Sequence, residues 1–174
     1  MKKSIRIIIP IIVISALFYT GYRMFELSKQ KKNQAERIVH IPSFALKSTL
    51  GENFTNKNLK ESVPVAFFYF NSECDFCQAE IRDILRNIKK FEGIQLLFVS
   101  FEPIQKIIMF QATYKLDIYD NIVFLSDYKN TFSETFGVKT LPSSLVYDKN
   151  GKLVSRNNGV VKVDYLLKAL KAAK

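Results

Sequence analysis

The apolar residues of this chain fall into short continuous runs that are separated by stretches with helical spacing. The runs 65–70 and 94–101 are apolar almost throughout, which is typical of strands covered on both faces of a sheet. After the first run the period changes, and a stripe of apolar residues predicts a helix that begins at Asp75 and ends at Gly93. The stripe consists of Cys77, Ile81, Ile84, Leu85 and Ile88.

The rest of the pattern completes an alternation of strands and helices. Hairpins are predicted around 49–52 and 148–151, the second because its Asn-Gly pair favours a tight turn. The other predicted elements are a helical turn at 58–62, helices at 103–116 and 129–136, a strand at 122–125 and a last helix at 163–172. This order indicates an α/β domain whose parallel core sheet carries helices on both faces and ends in an antiparallel hairpin.

An apolar run also opens the chain. Residues 5–22, extended to 25, reach the length of roughly 20 residues that a membrane-spanning helix needs. A cleaved signal peptide is the alternative, but no small-x-small cleavage site follows the run. We expect a single transmembrane helix in an N-terminal anchor at 1–26, a linker at 27–40 and a domain at 41–174. His40, the only histidine, is predicted to be a solvated linker residue.

The charge distribution favours a lipid partner over a nucleic acid. The chain has a net charge of +10, and its first 37 residues hold eight basic and two acidic side chains. Such a basic segment attracts anionic head groups, so the lipid bilayer is a predicted partner. The domain has no basic helix with interleaved aromatic residues, which argues against nucleic acid. Basic residues lie on both sides of the apolar run, and their count alone leans weakly towards a cytoplasmic domain.

The candidate chemistry is the segment Cys74-Asp75-Phe76-Cys77, which holds the only two cysteines. So short a loop makes a poor structural staple but suits a redox couple. At a helix N-terminus Cys74 is stabilised as a thiolate and attacks, while Cys77 on the buried stripe resolves the mixed disulfide. Two inert buried thiols are the plain alternative. Zinc needs about four ligands, so metal is not predicted except in a site shared across a dimer, and no cofactor is expected.

Three acidic residues near the cysteines shape the expected chemistry. Glu73 and Asp75 oppose a thiolate at Cys74, which predicts a reductant rather than a strong oxidant. Glu80 lies at the edge of the buried stripe beside Cys77. It is either a relay for the Cys77 proton or a solvated helix glutamate with a packed stem, and the pattern leaves both open.

Residues 38–174 resemble the thioredoxin fold, and more closely its membrane-anchored extracytoplasmic thiol-disulfide oxidoreductases, including those of cytochrome c maturation. The resemblance rests on the Cys74–Cys77 motif after an apolar strand, on Glu80, on the early hairpin as an added pair of strands, and on the segment 138–151. It implies a reversible Cys74–Cys77 disulfide and a cis Leu141–Pro142 bond against the cysteines. Substrate docking is then expected at Leu141, Pro142 and Phe76.

The resemblance also implies partners and a location. These are a protein disulfide substrate, an upstream membrane electron donor and a cell membrane that carries the anchor, with the domain on the extracytoplasmic (periplasmic) side. A redox couple attached to the membrane is needed on that side because soluble reductants are scarce there. The chain departs from the family pattern at Glu73, where Trp is usual, and at Phe68, where simple thioredoxins have Asp.

Two other functions remain as alternatives. One is a thiol peroxidase with antioxidant activity, of the alkyl hydroperoxide reductase/thiol-specific antioxidant type. Its Pro-x-x-x-Thr-x-x-Cys motif argues against it, because this chain has Phe67 and Asn71 at those positions. The other is a tethered docking module without turnover that binds peptides beside Pro142. The sequence predicts, ahead of both, a disulfide reductase.

Overall fold

The chain divides into two compact units, Met1–Glu36 and Arg37–Lys174. A computed structural model describes the backbone of residues 2–172, and the side chains of residues 15–30 and 32–171. Helix α1 (Lys2–Arg37) makes up the described part of the first unit and ends at the first residue of the second. Across the described residues no helix combines the length and the apolar content needed to cross a bilayer. The predicted anchor depends mainly on the side chains of 5–14, which lie outside the described ones.

The segment predicted as a linker is mostly helical. Residues 27–37 contain no Gly or Pro and are rich in Lys and Gln, which favour a helix, so they continue α1 to Arg37. Ile38 is buried in the core of the second unit. His40 is exposed, as expected, and forms an isolated bridge with Lys152. The second unit therefore takes up residues that the sequence pattern assigned to the linker.

A seven-stranded mixed sheet forms the centre of the second unit. Its strands are β1 (Ala45–Ser48), β2 (Asn53–Thr55), β3 (Val65–Tyr69), β4 (Gln95–Ser100), β5 (Ile122–Ser126), β6 (Ser143–Tyr147) and β7 (Leu153–Asn158). The spatial order is β2-β1-β5-β4-β3-β6-β7. Strands β3, β4 and β5 are parallel, while β6 and β7 form the expected antiparallel hairpin at one edge. The early hairpin adds to the other edge, where β1 pairs antiparallel with β5.

Three helices connect strands of this sheet, and a fourth follows β7. They are α2 (Asp75–Arg86), α3 (Ile104–Thr113), α4 (Thr131–Phe136) and α5 (Val163–Ala172). The predicted helix from Asp75 to Gly93 is wrong at its end. Asn87 closes α2, because its side-chain amide donates to the Asp83 carbonyl and its N–H to the Ile84 carbonyl. A short 3-10 turn follows at Ile88–Phe91.

Two smaller expectations are also shifted. The helical turn predicted at 58–62 lies at Asn56–Asn58, where Thr55 supplies the N-cap. Helix α3 stops at Thr113 instead of 116, because Lys115 adopts a left-handed backbone with φ 51° that a helix cannot contain. Neither shift alters the order of elements.

The sheet separates two hydrophobic clusters. One contains Cys77 and Ile81 of α2 together with apolar residues of α3 and α5. The other contains Phe44, Phe67, Phe132 and further residues of α4, with many ring-to-ring contacts. Strand β3 is buried along its whole length because its side chains enter both clusters. The redox segment thus begins where a fully covered central strand ends.

Candidate functional site

Cys74 is the N-cap of α2, as its position after the central strand predicts. Its Sγ accepts a hydrogen bond from the backbone N–H of Cys77 at 3.3 Å. The free N–H groups and the positive end of the helix dipole favour negative charge on this sulfur. Cys74 is half-buried, and both cysteines are free thiols in the structure. A thiol placed in this way can act as a nucleophile.

Cys77 lies one turn into α2 and is fully buried. Burial raises the pKa of its thiol to about 12, and the neighbouring Cys74 and the charge of Glu80 add to this effect. Hydrogen bonding by the Asn71 backbone lowers this pKa and so opposes part of the shift. At neutral pH this thiol is protonated, so it needs a base before it can attack.

Glu80 supplies a buried carboxyl next to that thiol. Its side chain is only 4% exposed, so the interpretation as a solvated helix glutamate is wrong. Burial raises its pKa to about 7, although the hydrogen bond from the Val161 N–H to Oε1, at 3.2 Å, lowers it somewhat. A carboxyl with this pKa can exchange a proton near neutral pH. Val161 is 81 residues away along the chain, and no local pattern pointed to it.

The acidic residue before Cys74 is not an isolated charge. Glu73 is exposed, and its Oε1 lies 2.7 Å from Nζ of Lys106 on α3. The hydrogen bond and the positive charge of Lys106 lower the pKa of Glu73. From the sequence alone, Glu73 is expected to be an unpaired anion beside the thiolate. In the fold, Lys106 compensates part of that charge, which reduces the effect on Cys74.

The loop between β3 and Cys74 is held by residues that the sequence did not single out. Glu102, just before α3, accepts hydrogen bonds from both the backbone and the hydroxyl of Ser72. Gln78 of α2 donates from its side chain to the Ser72 carbonyl. An acidic residue directly after an apolar run was the available signal for Glu102, but its partner Ser72 lies 30 residues away.

The predicted docking residues differ in accessibility. Phe76, between the cysteines, is 67% exposed. Leu141 is half-buried and packs against the same cluster as Cys74, whereas Pro142 is buried. The Leu141–Pro142 bond is cis, as the resemblance implied. In the described part of the chain, no group of three or more His, Cys, Asp and Glu side chains could hold a metal ion.

Known proteins share the fold of this chain. A profile of the AhpC/TSA family matches residues 39–156. A search of curated proteins gave no significant match. Among solved structures, the exposed lipoprotein thioredoxin Etrx1 of Streptococcus pneumoniae is 27% identical, with a TM-score of 0.59 over 75% of this chain and 98% of that chain.

Two structures from Mycobacterium tuberculosis are similar in fold. A secreted disulfide oxidoreductase homologous to E. coli DsbE has a TM-score of 0.64 and 18% identity, over 79% of this chain and 98% of that chain. The peroxidoxin BcpB has a TM-score of 0.67 and 20% identity, over 78% and 96% respectively. These similarities confirm the predicted α/β class as a thioredoxin-like fold.

We predict that Glu80 makes folding stability fall as pH rises. A carboxyl with an ordinary pKa of 4.5 when unfolded and about 7 when folded binds its proton more tightly in the native state. The stability that it contributes is therefore complete below pH 4.5 and is lost as the pH rises to 7. The loss is up to about 3 kcal/mol, at about 1.4 kcal/mol per pKa unit.

The measurement is urea denaturation of wild type and Glu80→Gln between pH 4 and 8. Between pH 4 and 8 the free energy of unfolding of Glu80→Gln should rise by this amount relative to that of the wild type, because an amide does not titrate. Glu73→Gln is the matched control on an exposed carboxyl. A difference between wild type and Glu80→Gln that stays constant with pH would contradict the prediction.

Proposed function

The chain belongs to the AhpC/TSA family of thioredoxin-fold redoxins, and from that premise we propose that it is a thiol-disulfide oxidoreductase. Its dithiol, Cys74 and Cys77, reduces disulfides in extracytoplasmic proteins. One observation carries the proposal: an accessible thiol at a helix N-cap lies one turn from a buried thiol that has a titratable carboxyl beside it. This asymmetry supplies one attacking thiol and one resolving thiol.

The first step is attack by the Cys74 thiolate on a substrate disulfide. A bond forms between Sγ of Cys74 and one substrate sulfur, and the other substrate sulfur leaves as a thiolate that takes a proton from solvent. The N–H of Cys77 and the helix dipole stabilise the attacking anion. The product is a mixed disulfide, and the exposed ring of Phe76 beside it offers apolar contact area to the bound partner.

The second step is resolution by Cys77. Its thiol loses a proton and attacks Sγ of Cys74, which forms the Cys74–Cys77 disulfide and releases the remaining substrate sulfur as a thiol. The substrate gains two electrons and two protons in total, and the dithiol is oxidised. An upstream electron donor must then reduce the new disulfide, and we propose a membrane protein for that role.

Glu80 acts as the base for resolution. The high pKa of Cys77 leaves too little thiolate for fast attack, whereas the carboxylate of Glu80 is half formed near pH 7. The charge of Glu80 also raises the pKa of Cys77, which supports an interaction between the two groups. Once Cys77 has given up its proton to Glu80, the departing substrate thiolate can take it back.

The direction of electron flow follows from the charges near Cys74. Glu73 and Asp75 disfavour the thiolate, which favours the disulfide form and makes the dithiol a reductant. Lys106 offsets part of the Glu73 charge, so the couple should be somewhat less reducing than the sequence alone suggests. The comparison proteins described as secreted or exposed support an extracytoplasmic substrate.

Residues 1–26 are proposed to attach the domain to a membrane. Support comes from the apolar run in the sequence and from the described part of α1. Seven large apolar or aromatic side chains between residues 17 and 27 are more than half exposed there. An exposed apolar surface of this kind is typical of a site that contacts a membrane or another protein. The flanking lysines favour anionic lipid head groups.

A peroxidase is the second outcome that the tests distinguish. The family match and the similarity to BcpB favour it. Against it, Phe67 is a core residue of β3 and Asn71 accepts a hydrogen bond from the Glu73 N–H, where the peroxidase motif has Pro and Thr. The site therefore lacks the residues that the motif places before its reactive cysteine.

We predict distinct phenotypes for the two cysteines in reduction of a protein disulfide such as insulin by the detergent-solubilised full chain. Cys74→Ser abolishes activity because no mixed disulfide forms. Cys77→Ser accumulates the mixed disulfide, which non-reducing electrophoresis detects. The potential of the wild-type couple should lie below about −250 mV, near thioredoxin. A value near about −120 mV would contradict the assignment as a reductant.

The same assay separates the alternatives. Consumption of hydrogen peroxide without reduction of insulin would identify the peroxidase instead. Absence of any reversible couple would identify the docking module.

Glu80→Gln is predicted to slow resolution and to change its pH dependence. In wild type the rate of Cys77 attack should rise through pH 7 as the carboxylate forms, and this inflection should vanish in the variant. Single-turnover release of a chromophoric thiol from its adduct with Cys74 measures the rate. Glu73→Gln, which removes an exposed carboxylate next to Cys74, should keep the inflection. An unchanged profile in Glu80→Gln would refute the role as a base.

Membrane attachment is predicted to depend on the apolar run at 5–22. Ile12→Lys should release the full chain from membranes during carbonate extraction, because a charge in the apolar segment is costly. Leu50→Lys, on an exposed loop of the domain, is the control and should remain membrane-bound. Release of the wild type under the same conditions would argue against an anchor. Digestion by externally added protease then decides on which side the domain lies.

A further inference from the structure

Glu102 is a buried carboxylate outside the redox motif. It is only 3% exposed and lies between β4 and α3, just before the start of that helix. Its Oε2 accepts from the Ser72 backbone N–H at 2.7 Å and from the Ser100 hydroxyl at 3.1 Å. Its Oε1 accepts from the Ser72 hydroxyl at 2.7 Å, and Nζ of Lys106 is 3.9 Å away. Such short bonds to a carboxylate are the strong, charge-assisted kind.

Ser72 is held from two sides by these contacts. Glu102 binds its N–H and its hydroxyl, while the side chain of Gln78 on α2 donates to its carbonyl at 2.8 Å. The loop 71–73 is therefore fixed both to the end of β4 and to the helix that carries the cysteines. The Glu102 backbone is itself anchored, because its carbonyl accepts from the Ser126 hydroxyl at 3.1 Å.

The loop that Glu102 holds is bonded to the backbone of Cys74 and to the first turn of α2. The carbonyl of Asn71 accepts from the Cys74 N–H at 3.2 Å. The Asn71 backbone also lowers the pKa of the Cys77 thiol, against the larger effect of burial. A displacement of the loop would therefore weaken the stabilisation of the Cys77 thiolate.

We infer that Glu102 is a positioning residue for the redox pair, which it serves by holding Ser72 and thereby the loop 71–73 against the start of α2. The inference rests on the proposed exchange chemistry and adds to it a residue that acts at a distance from the sulfurs. Loss of this carboxylate should slow the attack of Cys77 more than the attack of Cys74, because Cys74 keeps its own helix N-terminus.

Asp127 offers a matched control. It is a second buried carboxylate, 1% exposed, and it too accepts backbone N–H groups, here from Phe132 and Ser133 at 2.8 and 2.9 Å. It also accepts from the hydroxyl of Tyr69. None of its described hydrogen bonds reaches the loop 71–73 or either cysteine. Its loss should cost stability in the same way without touching the redox pair.

The experiment follows the reaction of the detergent-solubilised full chain with 5,5′-dithiobis-(2-nitrobenzoate). Cys74 attacks the reagent and releases one thionitrobenzoate, and Cys77 then attacks the adduct and releases the second. Glu102→Ala should slow the second phase by about tenfold, the size expected for the loss of a charge-assisted hydrogen bond. Its first phase should stay within about twofold of wild type, and Asp127→Ala should leave both phases within about twofold.

Two further variants keep the test decisive. Glu102→Gln should recover most of the rate, since its amide oxygen still accepts from the Ser72 N–H. Ser72→Ala removes only the hydroxyl contact and should slow the second phase by about threefold, even if Glu102→Ala does not fold. The inference is overturned if the second phase is unchanged in Glu102→Ala or, should that variant not fold, in Ser72→Ala. Equal slowing by Asp127→Ala would overturn it as well.

The reagent separates this inference from the proposed function. A wild-type chain that releases both thionitrobenzoates but fails to reduce insulin would refute the proposed reductase. The comparison of Glu102 with Asp127 would still decide the positioning role, because it depends only on attack by the two thiols.

Discussion

At pH 7 the thiol of Cys77 is almost entirely protonated, because burial raises its pKa to about 12, and the arrangement of the site follows from this constraint. A resolving thiol must be close to Cys74, and one turn of α2 places it there at the expense of contact with water. Burial protects the chain from trapping by stray reagents but removes the thiolate that attack requires. A base within the protein resolves the conflict, and Glu80 is buried beside the thiol with a pKa of about 7.

The burial of Glu80 is costly in its own right. A carboxylate in an apolar cluster is stabilised by few partners, and here the Val161 N–H donates a hydrogen bond to Glu80. Burial therefore raises the pKa of Glu80, so that its neutral form persists to a higher pH. The Glu80 carboxyl destabilises the fold as the pH rises, and the same carboxyl can accept a proton from Cys77. The site therefore gains reactivity at a cost in stability.

Much of the fold could be predicted because its signals are local. The continuous run of β3, the helical stripe from Cys77 to Ile84 and the Asn-Gly turn before β7 each depend on neighbouring residues. Placing Cys74 at the N-cap follows in the same way, from a strand that ends and a helix that begins. The end of α2 was missed because Ile88 continues the apolar stripe, and only the side chain of Asn87 decides against another turn.

The electrostatics of the site could not be predicted in this way, because each acidic residue meets its partner through the tertiary fold. Glu73 forms an ion pair with Lys106 of α3, and Glu80 accepts a hydrogen bond from the backbone just before α5. Glu102 holds the loop 71–73, which follows β3. The residues next to the cysteines therefore report only part of the charge that the sulfurs experience. Because the end of β4 and the start of α3 supply both Lys106 and Glu102, this corner of the sheet sets the environment of the redox pair as much as the Cys-x-x-Cys segment does. Relatives that keep the motif but alter this corner should then differ in potential and in the rate of resolution.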